Sequence, residues 1–444
     1  MYNLKKHNYG IHRKRDKSLG LLELIAIALG GMIGGGIFTV LGISVAMIGV
    51  FTPVAFIIGG VLAMLASYSY IKLGVYYKDE GATYSFYKKT FPDSPFAASL
   101  IGWWVIFGYI STLALYAYTF ASYAISGFEF AHNEWIRKGV AGLIILVFTL
   151  VNLWSVKGMG KVEDLMVYTK LAILTIISFI LINNANTTLP TLMQNNGDTT
   201  LLSILIVASL TFVAFEGFQL VINAVNEMEN PQKNIPKAIY GAIILAIAIY
   251  IVLSLGAILT IPFEDIIKNE EFALAAGADK ILGHWGTDLV IIGALLATSS
   301  AISGTLFGAS RQMSVISQDG YFPSFLTKRK NNIPTYAITT MATLAFSLIL
   351  IGNLKVILEF GSVTFLLVSF LIAFANFKIY KQTNSSLFIT IVAMIGLALA
   401  TILIIYYEYT TQVEQLYFIG GLYIVLTISA FIYSKTKHKT NNMI

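Results

Sequence analysis

The sequence contains no cysteine, which excludes disulfides, thiolate metal sites and cysteine nucleophiles. Charge is scarce. Only 12% of the 444 residues are Asp, Glu, Lys or Arg, against 57% that are hydrophobic. Mean hydropathy is +0.75. That balance excludes an ordinary soluble domain. Histidine is equally sparse, and His7, His12, His132, His284 and His438 all lie outside the deep apolar runs. There is no H-E-x-x-H zinc motif and no G-x-S-x-G nucleophile elbow, so a membrane enzyme would lack an evident acid–base or metal site. A channel would need a filter of repeated carbonyls or a ring of charges, and no such sequence is present. Proline occurs nine times, at Pro53, Pro92, Pro95, Pro190, Pro231, Pro236, Pro262, Pro323 and Pro334. All nine fall at the ends of apolar runs or between them, so interruptions inside a run must come from glycine.

What is abundant is apolar sequence long enough to cross a bilayer. Hydropathy divides it into twelve expected spans, near 21–46, 52–76, 96–127, 139–156, 164–183, 201–226, 238–262, 287–316, 335–352, 356–378, 387–408 and 416–434. The first run, after the basic stretch with Lys5, Lys6, Arg13, Lys14, Arg15 and Lys17, is too long for a cleaved signal peptide. With the N-terminus inside, the outer side holds only Arg137, Lys138, Lys268, Lys280 and Lys355. Apart from Lys170, the rest of the 29 Lys and Arg lie in the N-terminal tail and on the inner side. This bias places both termini in the cytoplasm of a cell whose inner membrane holds the chain. It also accounts for the net charge of +6, which is spread over many loops and offers no nucleic-acid face. The inner stretch 79–95, with Lys88 and Lys89 among aromatics, reads as a short interfacial helix. The outer stretch 263–284 reads as a small surface helix, and Glu359 as an interfacial charge.

Two spans break the apolar pattern. Span one carries Gly30-Gly31-Met32-Ile33-Gly34-Gly35-Gly36-Ile37-Phe38. Each glycine costs roughly 0.5–1 kcal/mol relative to alanine in a helix. Span six carries Thr211-Phe212-Val213-Ala214-Phe215-Glu216-Gly217-Phe218-Gln219, with a glycine and a carboxylate in midspan. Non-helical backbone survives at membrane depth only when buried in protein or lining a wet cavity. The two odd spans are five apart, and an odd number of spans per half forces the halves to be inverted. Matching broken helices in two halves point to an inverted-repeat transporter.

Three blocks then resemble one family. Gly34-Gly35-Gly36-Ile37-Phe38 resembles its G-x-G-I-F signature. Phe215-Glu216-Gly217-Phe218, followed by Glu227 and Asn230-Pro231-Gln232-Lys233-Asn234-Ile235-Pro236-Lys237-Ala238-Ile239, resembles its span-six block. Gly308-Ala309-Ser310-Arg311 and Asp319-Gly320-Tyr321-Phe322-Pro323 resemble its span-eight exit. The set resembles the amino acid–polyamine–organocation superfamily, and most of all its prokaryotic proton-coupled amino acid permeases. The resemblance implies an all-α polytopic membrane protein with a leucine-transporter-like 5+5 inverted repeat and broken helices one and six. Its parts would be an N-terminal tail over 1–20, repeats over 21–183 and 201–378, accessory helices over 387–434 and a tail over 435–444.

The implied cargo is an α-amino acid, carried by alternating access in symport with protons, with no metal or cofactor. The resemblance places its carboxylate on amides near Gly34, Gly35 and Gly36, where a half-helix N-terminus suits an anion. It places the ammonium on carbonyls near Met32, Val213 and Glu216. The glycines have a second reading as close helix packing. Val213, Phe215 and Phe218 are candidates to gate the pocket or simply to pack the core. Lys170 lies roughly 9 Å into span five at 1.5 Å per residue. Either it snorkels to the surface or it acts in coupling. In sodium-coupled relatives of this fold, span five helps form a sodium site against spans one and eight. In a proton-coupled member a lysine replaces the ion, and Lys170-Leu171-Ala172-Ile173-Leu174 resembles that segment. Ser299 and Ser300 of span eight are its candidate partners. Glu216 is read as a proton relay, a contact for a cationic substrate group, or a neutral acid bonded to freed backbone. Two functional alternatives stay open: a polyamine or cationic amino acid transporter or exchanger, and a non-transporting amino acid sensor.

Overall fold

The computed structural model describes residues 19–441 except 80, 155, 196–198, 270–271 and 331–332, with the side chains of 156–164, 195, 279–282 and 436–441 also outside the description. The basic tail at 1–18 and the acidic pair at 270–271 therefore lie outside the described residues. Among the described residues the regular structure is helical, apart from isolated bridges between Leu19 and Met228 and between Lys330 and Ile333. Ten helical stretches among them are long and apolar enough to cross a membrane. One of these, Gly35–Tyr77, joins two helices, and the shorter apolar helices Leu21–Met32 and Thr335–Ile351 stand beside the ten. The molecule is a multi-pass membrane protein.

The chain begins with α1 (Leu21–Met32), α2 (Gly35–Ile48) and α3 (Thr52–Tyr77), then the short α4 (Ala82–Thr90). Next come α5 (Pro95–Ala124), α6 (Glu134–Trp154), α7 (Val156–Asn183) and α8 (Leu189–Asn195). The second half holds α9 (Leu201–Leu210), a 3-10 turn (Thr211–Phe215), α10 (Leu220–Asn223), α11 (Pro231–Thr260) and α12 (Phe263–Lys268). It continues with α13 (Ala273–Gln318), α14 (Thr335–Ile351), α15 (Leu354–Lys378), α16 (Leu387–Thr411) and α17 (Val413–Asn441). Side chains set several of the starts. Ser94, Thr200, Asn353 and Ser386 accept amide hydrogens at the heads of α5, α9, α15 and α16. Pro95 fits the first helical position because its missing N–H would have no partner there.

Burial sorts the helices. The most apolar windows of Leu354–Lys378 and Pro95–Ala124 are 83% and 78% buried inside the protein, whereas that of Val413–Lys435 is 17% buried. α5 and α15 are therefore interior posts, and α17 faces lipid on most of its surface. α5 packs against α13, α15, α17 and α6, and α1 packs against α11, α13 and α7. Trp154, Phe388 and Tyr417 point outward, as a lipid-facing belt allows.

Four expectations change. The stretch 79–95 does form a helix, but α4 buries Thr83, Tyr84, Phe86 and Tyr87 instead of lying in the interface. The Tyr84 hydroxyl donates to Asp319 at 2.6 Å, and Lys88 reaches the same carboxylate at 2.5 Å, so α4 is fastened under α13. The outer stretch 263–284 is a surface helix only in part: α12 exposes Glu264, Ile267 and Lys268 and buries Ile266 where it lies against α2, whereas Phe272 and Leu274 at the head of α13 are buried. Gly283, with φ +64, turns the chain into the long part of α13. Pro236 lies inside α11, which starts at Pro231 and therefore earlier than hydropathy places it. Glu359 is fully buried between helices, so it is no interfacial charge.

Candidate functional site

The break in the first apolar run falls at Ile33 and Gly34. Ile33 has φ −85 and ψ 74, and Gly34 has φ −116 and ψ −140, so α1 stops and α2 restarts two residues later. A helix that ends leaves its last carbonyls without amide partners. Three side chains from three other helices meet those of α1. Lys170 of α7 donates to Gly30 O at 3.0 Å and to Ile33 O at 2.6 Å. Tyr116 of α5 donates to Gly31 O at 3.1 Å. The Tyr250 hydroxyl of α11 lies 2.9 Å from Met32 O. The same hydroxyl lies 2.7 Å from Ala214 O in the second break, so one O–H stands between carbonyls of both.

The second break is longer. After α9 the chain tightens into the 3-10 turn, then opens over Glu216–Gln219 before α10. Val213 O accepts the Glu216 amide at 3.2 Å. Gly217 has φ +126, a conformation only glycine adopts freely, and a Cβ there would lie 2.5 Å from the Gly31 carbonyl carbon. The two breaks therefore touch backbone to backbone. Glu216 is buried, and its Oε2 accepts from Gln219 Nε2 at 2.6 Å. Gln219 Nε2 also lies 3.3 Å from the Tyr109 hydroxyl, and its Oε1 accepts the Gly217 amide at 3.1 Å.

The expected site residues fall into four groups. Met32, Gly34, Val213 and Glu216 sit in or beside the breaks. Gly35 and Gly36 open α2, where the first amides have no helical acceptor, although Gly34 N–H already donates to Met32 O at 3.0 Å. The space beside these glycines is filled. A Cβ at Gly35 would lie 2.8 Å from Thr119 Oγ1, and one at Gly36 would lie 2.9 Å from Ala214 Cα. Close packing and open amides thus occur at the same positions. Lys170 and Ser300 meet directly, with Nζ 2.8 Å from Ser300 Oγ, whose own proton is directed to Ala297 O at 3.0 Å. Ser299, next to Ser300 in the sequence, is also buried. Phe215 packs on Tyr250 with ring centroids 5.2 Å apart, and Phe218 meets Tyr70 edge-on at 5.3 Å.

A cavity of about 10 Å³ for water centres lies at the breaks, room for about one water. Gly31, Gly217, Glu216, Tyr109, Tyr116 and Thr305 are among the residues that line it, while Phe215 and Phe218 do not. Sequence reasoning missed Tyr109, Tyr116 and Tyr250. Tyr109, Thr112 and Tyr116 share a helical face at i, i+3 and i+7, but core packing produces the same spacing.

The chain matches known proteins along nearly its whole length. The family model described as "Amino acid permease" matches residues 19–442. An uncharacterized protein of Methanocaldococcus jannaschii is 28% identical over 97% of this chain and 98% of its own length. The inner membrane transport protein YbaT of Escherichia coli is 28% identical over 95% of this chain and 97% of its own length. The branched-chain amino acid permease BcaP of Bacillus subtilis is 26% identical over 80% of this chain and 79% of its own. With broken helices at the expected places and a family match over nearly the whole chain, this protein belongs to the amino acid permeases of the amino acid–polyamine–organocation superfamily and is an amino acid transporter.

Proposed function

We propose that the chain imports α-amino acids with protons, by alternating access of two inverted five-helix repeats over 21–183 and 201–378. Twelve crossings follow if α1 and α2 make one span, α3 the next, and α14 crosses despite its length. Gly49, with φ +52, divides α2 from α3 and supports that count. Helices over 387–434 are accessory, and both termini face the cytoplasm of the inner membrane.

The observation that carries the coupling is the position of Lys170. Its Nζ joins α1, α7 and α13 through Gly30 O, Ile33 O and Ser300 Oγ, where a bound cation would otherwise join them. An ammonium donates three hydrogens and accepts none. With the Ser300 proton directed to Ala297 O, the charged form satisfies all three contacts. A neutral amine has one donor fewer, so deprotonation requires Ser300 to turn its proton toward the lysine or the contact to part. That is a two-state element on which a proton gradient acts. The substrate carboxylate would bind the first amides of α2, and its ammonium the carbonyls near Met32, Val213 and Glu216. The cavity is far too small for an amino acid as it stands, so binding requires the helices around it to separate. Phe215 and Phe218, both fully buried, are the aromatic groups that move with the second break.

Uptake into proteoliposomes across pH, with and without sodium, tests the coupling. Uptake should need no sodium and should rise as external pH falls. Lys170→Ala should still bind amino acid but lose the pH response, because alanine mimics one protonation state permanently. Sodium-dependent uptake, or an unchanged pH response in Lys170→Ala, would overturn the role. Binding that is equal for an amino acid and its methyl ester would overturn the carboxylate site.

A second reading, transport of cationic amino acids or polyamines, draws on Glu216, a buried carboxylate at the cavity wall. Glu216→Gln should then weaken cationic ligands more than neutral ones.

A further inference from the structure

The seam between α15 and α16 buries two acids that the transport site does not use. Glu359 of α15 is 0% exposed and Glu408 of α16 is 1% exposed. The Glu408 carboxyl lies within hydrogen-bonding reach of Glu359. Among the described residues no donor reaches any of their four carboxyl oxygens. Lys355, one turn before Glu359, brings its Nζ to 4.0 Å from Glu359 Oε1. It is committed to the Tyr407 hydroxyl at 2.8 Å and lies 5.0 Å from that ring's centroid. Lys355 and Glu408 are the charged groups that bear on Glu359 among the described residues, and Tyr423 of α17 bonds Thr364 one turn further in.

Two ionised carboxylates cannot share such a place. They repel, and each carries lone pairs that a dry seam must match with donors. Two neutral acids would leave the Lys355 ammonium without a counter-charge. A single proton resolves both. It supplies an O–H donor from one acid to the other, in the strong charge-assisted class, and leaves one negative charge for one ammonium.

We propose that Glu359 and Glu408 hold one proton between them, forming a proton-binding site in the α15–α16 seam that is separate from Lys170. Lys355, 24% exposed at its side chain, stands at the mouth and is the route to water. The pairing stands without the transport reading; only the side of the membrane that feeds it follows from the proposed topology, which makes it the outer one. The seam is tied to the centre. Ser111 of α5 donates to Ile357 O at 2.6 Å, and Ser362 of α15 donates to Leu210 O at the second break at 3.1 Å. Removal of the proton leaves two carboxylates against one ammonium and drives α15 and α16 apart.

Thermal unfolding of the purified full chain, followed from neutral to alkaline pH, tests this in wild type, Glu359→Gln, Glu408→Gln and the double variant. Wild type should lose melting temperature as pH rises. Either single amide should remove most of that fall, because an amide N–H donates permanently and only one carboxylate remains. Infrared spectroscopy gives the second readout. At neutral pH a protonated-carboxyl C=O band should be present in wild type and diminished in both single variants. The proposal is overturned if both single variants keep the wild-type pH profile, or if neither loses intensity in that band. It is also overturned if sodium chloride, but not choline chloride, restores wild-type melting at alkaline pH, since the pair would then hold a cation in place of a proton.

Discussion

The helix breaks at the centre and the α15–α16 seam bury polar groups in opposite ways. At the breaks, opening α1 creates acceptors, and the surrounding helices supply donors for them: Lys170, Tyr116 and Tyr250. In the seam, two acids supply acceptors, and no donor among the described residues meets them. For the α1 carbonyls, the first arrangement is complete within the chain. The second is completed by a proton from water. A buried polar group is costly only when unmet, so the identity of the missing partner says what each region exchanges with its surroundings.

The largest expected effect breaks the central arrangement. Gly217→Ala forces a Cβ into the Gly31 and Met32 backbone at a φ of +126. It should cost about 3–5 kcal/mol, at the top of the range for single substitutions. Thermal melting compared with Gly421→Ala checks it, since a Cβ at Gly421 meets nothing within 4 Å and that variant should be close to neutral. Tyr250→Phe comes next. It leaves Met32 O with the Gly34 amide alone and takes the same hydroxyl from Ala214 O, at about 1–3 kcal/mol for buried acceptors that lose a donor. Melting temperature and amino acid affinity should both fall.

The seam should respond in the contrary sense. Replacing both acids, Glu359→Leu with Glu408→Leu, removes two unmet groups together and should be within about 1 kcal/mol of wild type or stabilising, as for other buried ionic groups replaced by apolar ones. If the double variant melts far below wild type at neutral pH, the seam is complete within the protein and the contrast fails. The smallest effect lies outside the bilayer, at Asp79. Burial pushes its carboxyl up, but hydrogen bonds from Lys89 and from the Gly81 amide more than offset this and hold it below its usual value. Its contribution is therefore present above the ordinary carboxylate range and is lost as pH falls through the lowered value. Asp79→Asn should trim stability at neutral pH and flatten its decline on the acid side. Asp79 is the same chemical group as Glu359, supplied with donors.

Much of the centre was legible in the sequence because breaking a helix leaves a compositional mark. Consecutive glycines at 34–36 and a glycine beside Glu216 are unfavourable in a plain span, so they announce non-helical backbone wherever the rest of the chain lies. Lys170 was legible for the same reason, since a lone amine deep in an apolar run demands partners, and Ser300 proved to be one. Tyr109, Tyr116 and Tyr250 were not, because an aromatic in an apolar helix has the same pattern whether its hydroxyl meets a freed carbonyl or lipid headgroups. The burial of α4 was hidden too: Lys88 and Lys89 gave it an interfacial look, while its docking depends on Asp319, far along the chain.

By itself, then, the sequence determined that the chain is a multi-pass membrane protein, where its helices break, and to which family it belongs. These follow from local composition, from periodicity and from motifs read in order. Only the tertiary structure decided which side chains meet the opened backbone, that Gly217 lies against Gly31, and that Glu359 faces Glu408 instead of solvent. Those are pairings between residues far apart along the chain, and no local preference specifies a partner on another helix.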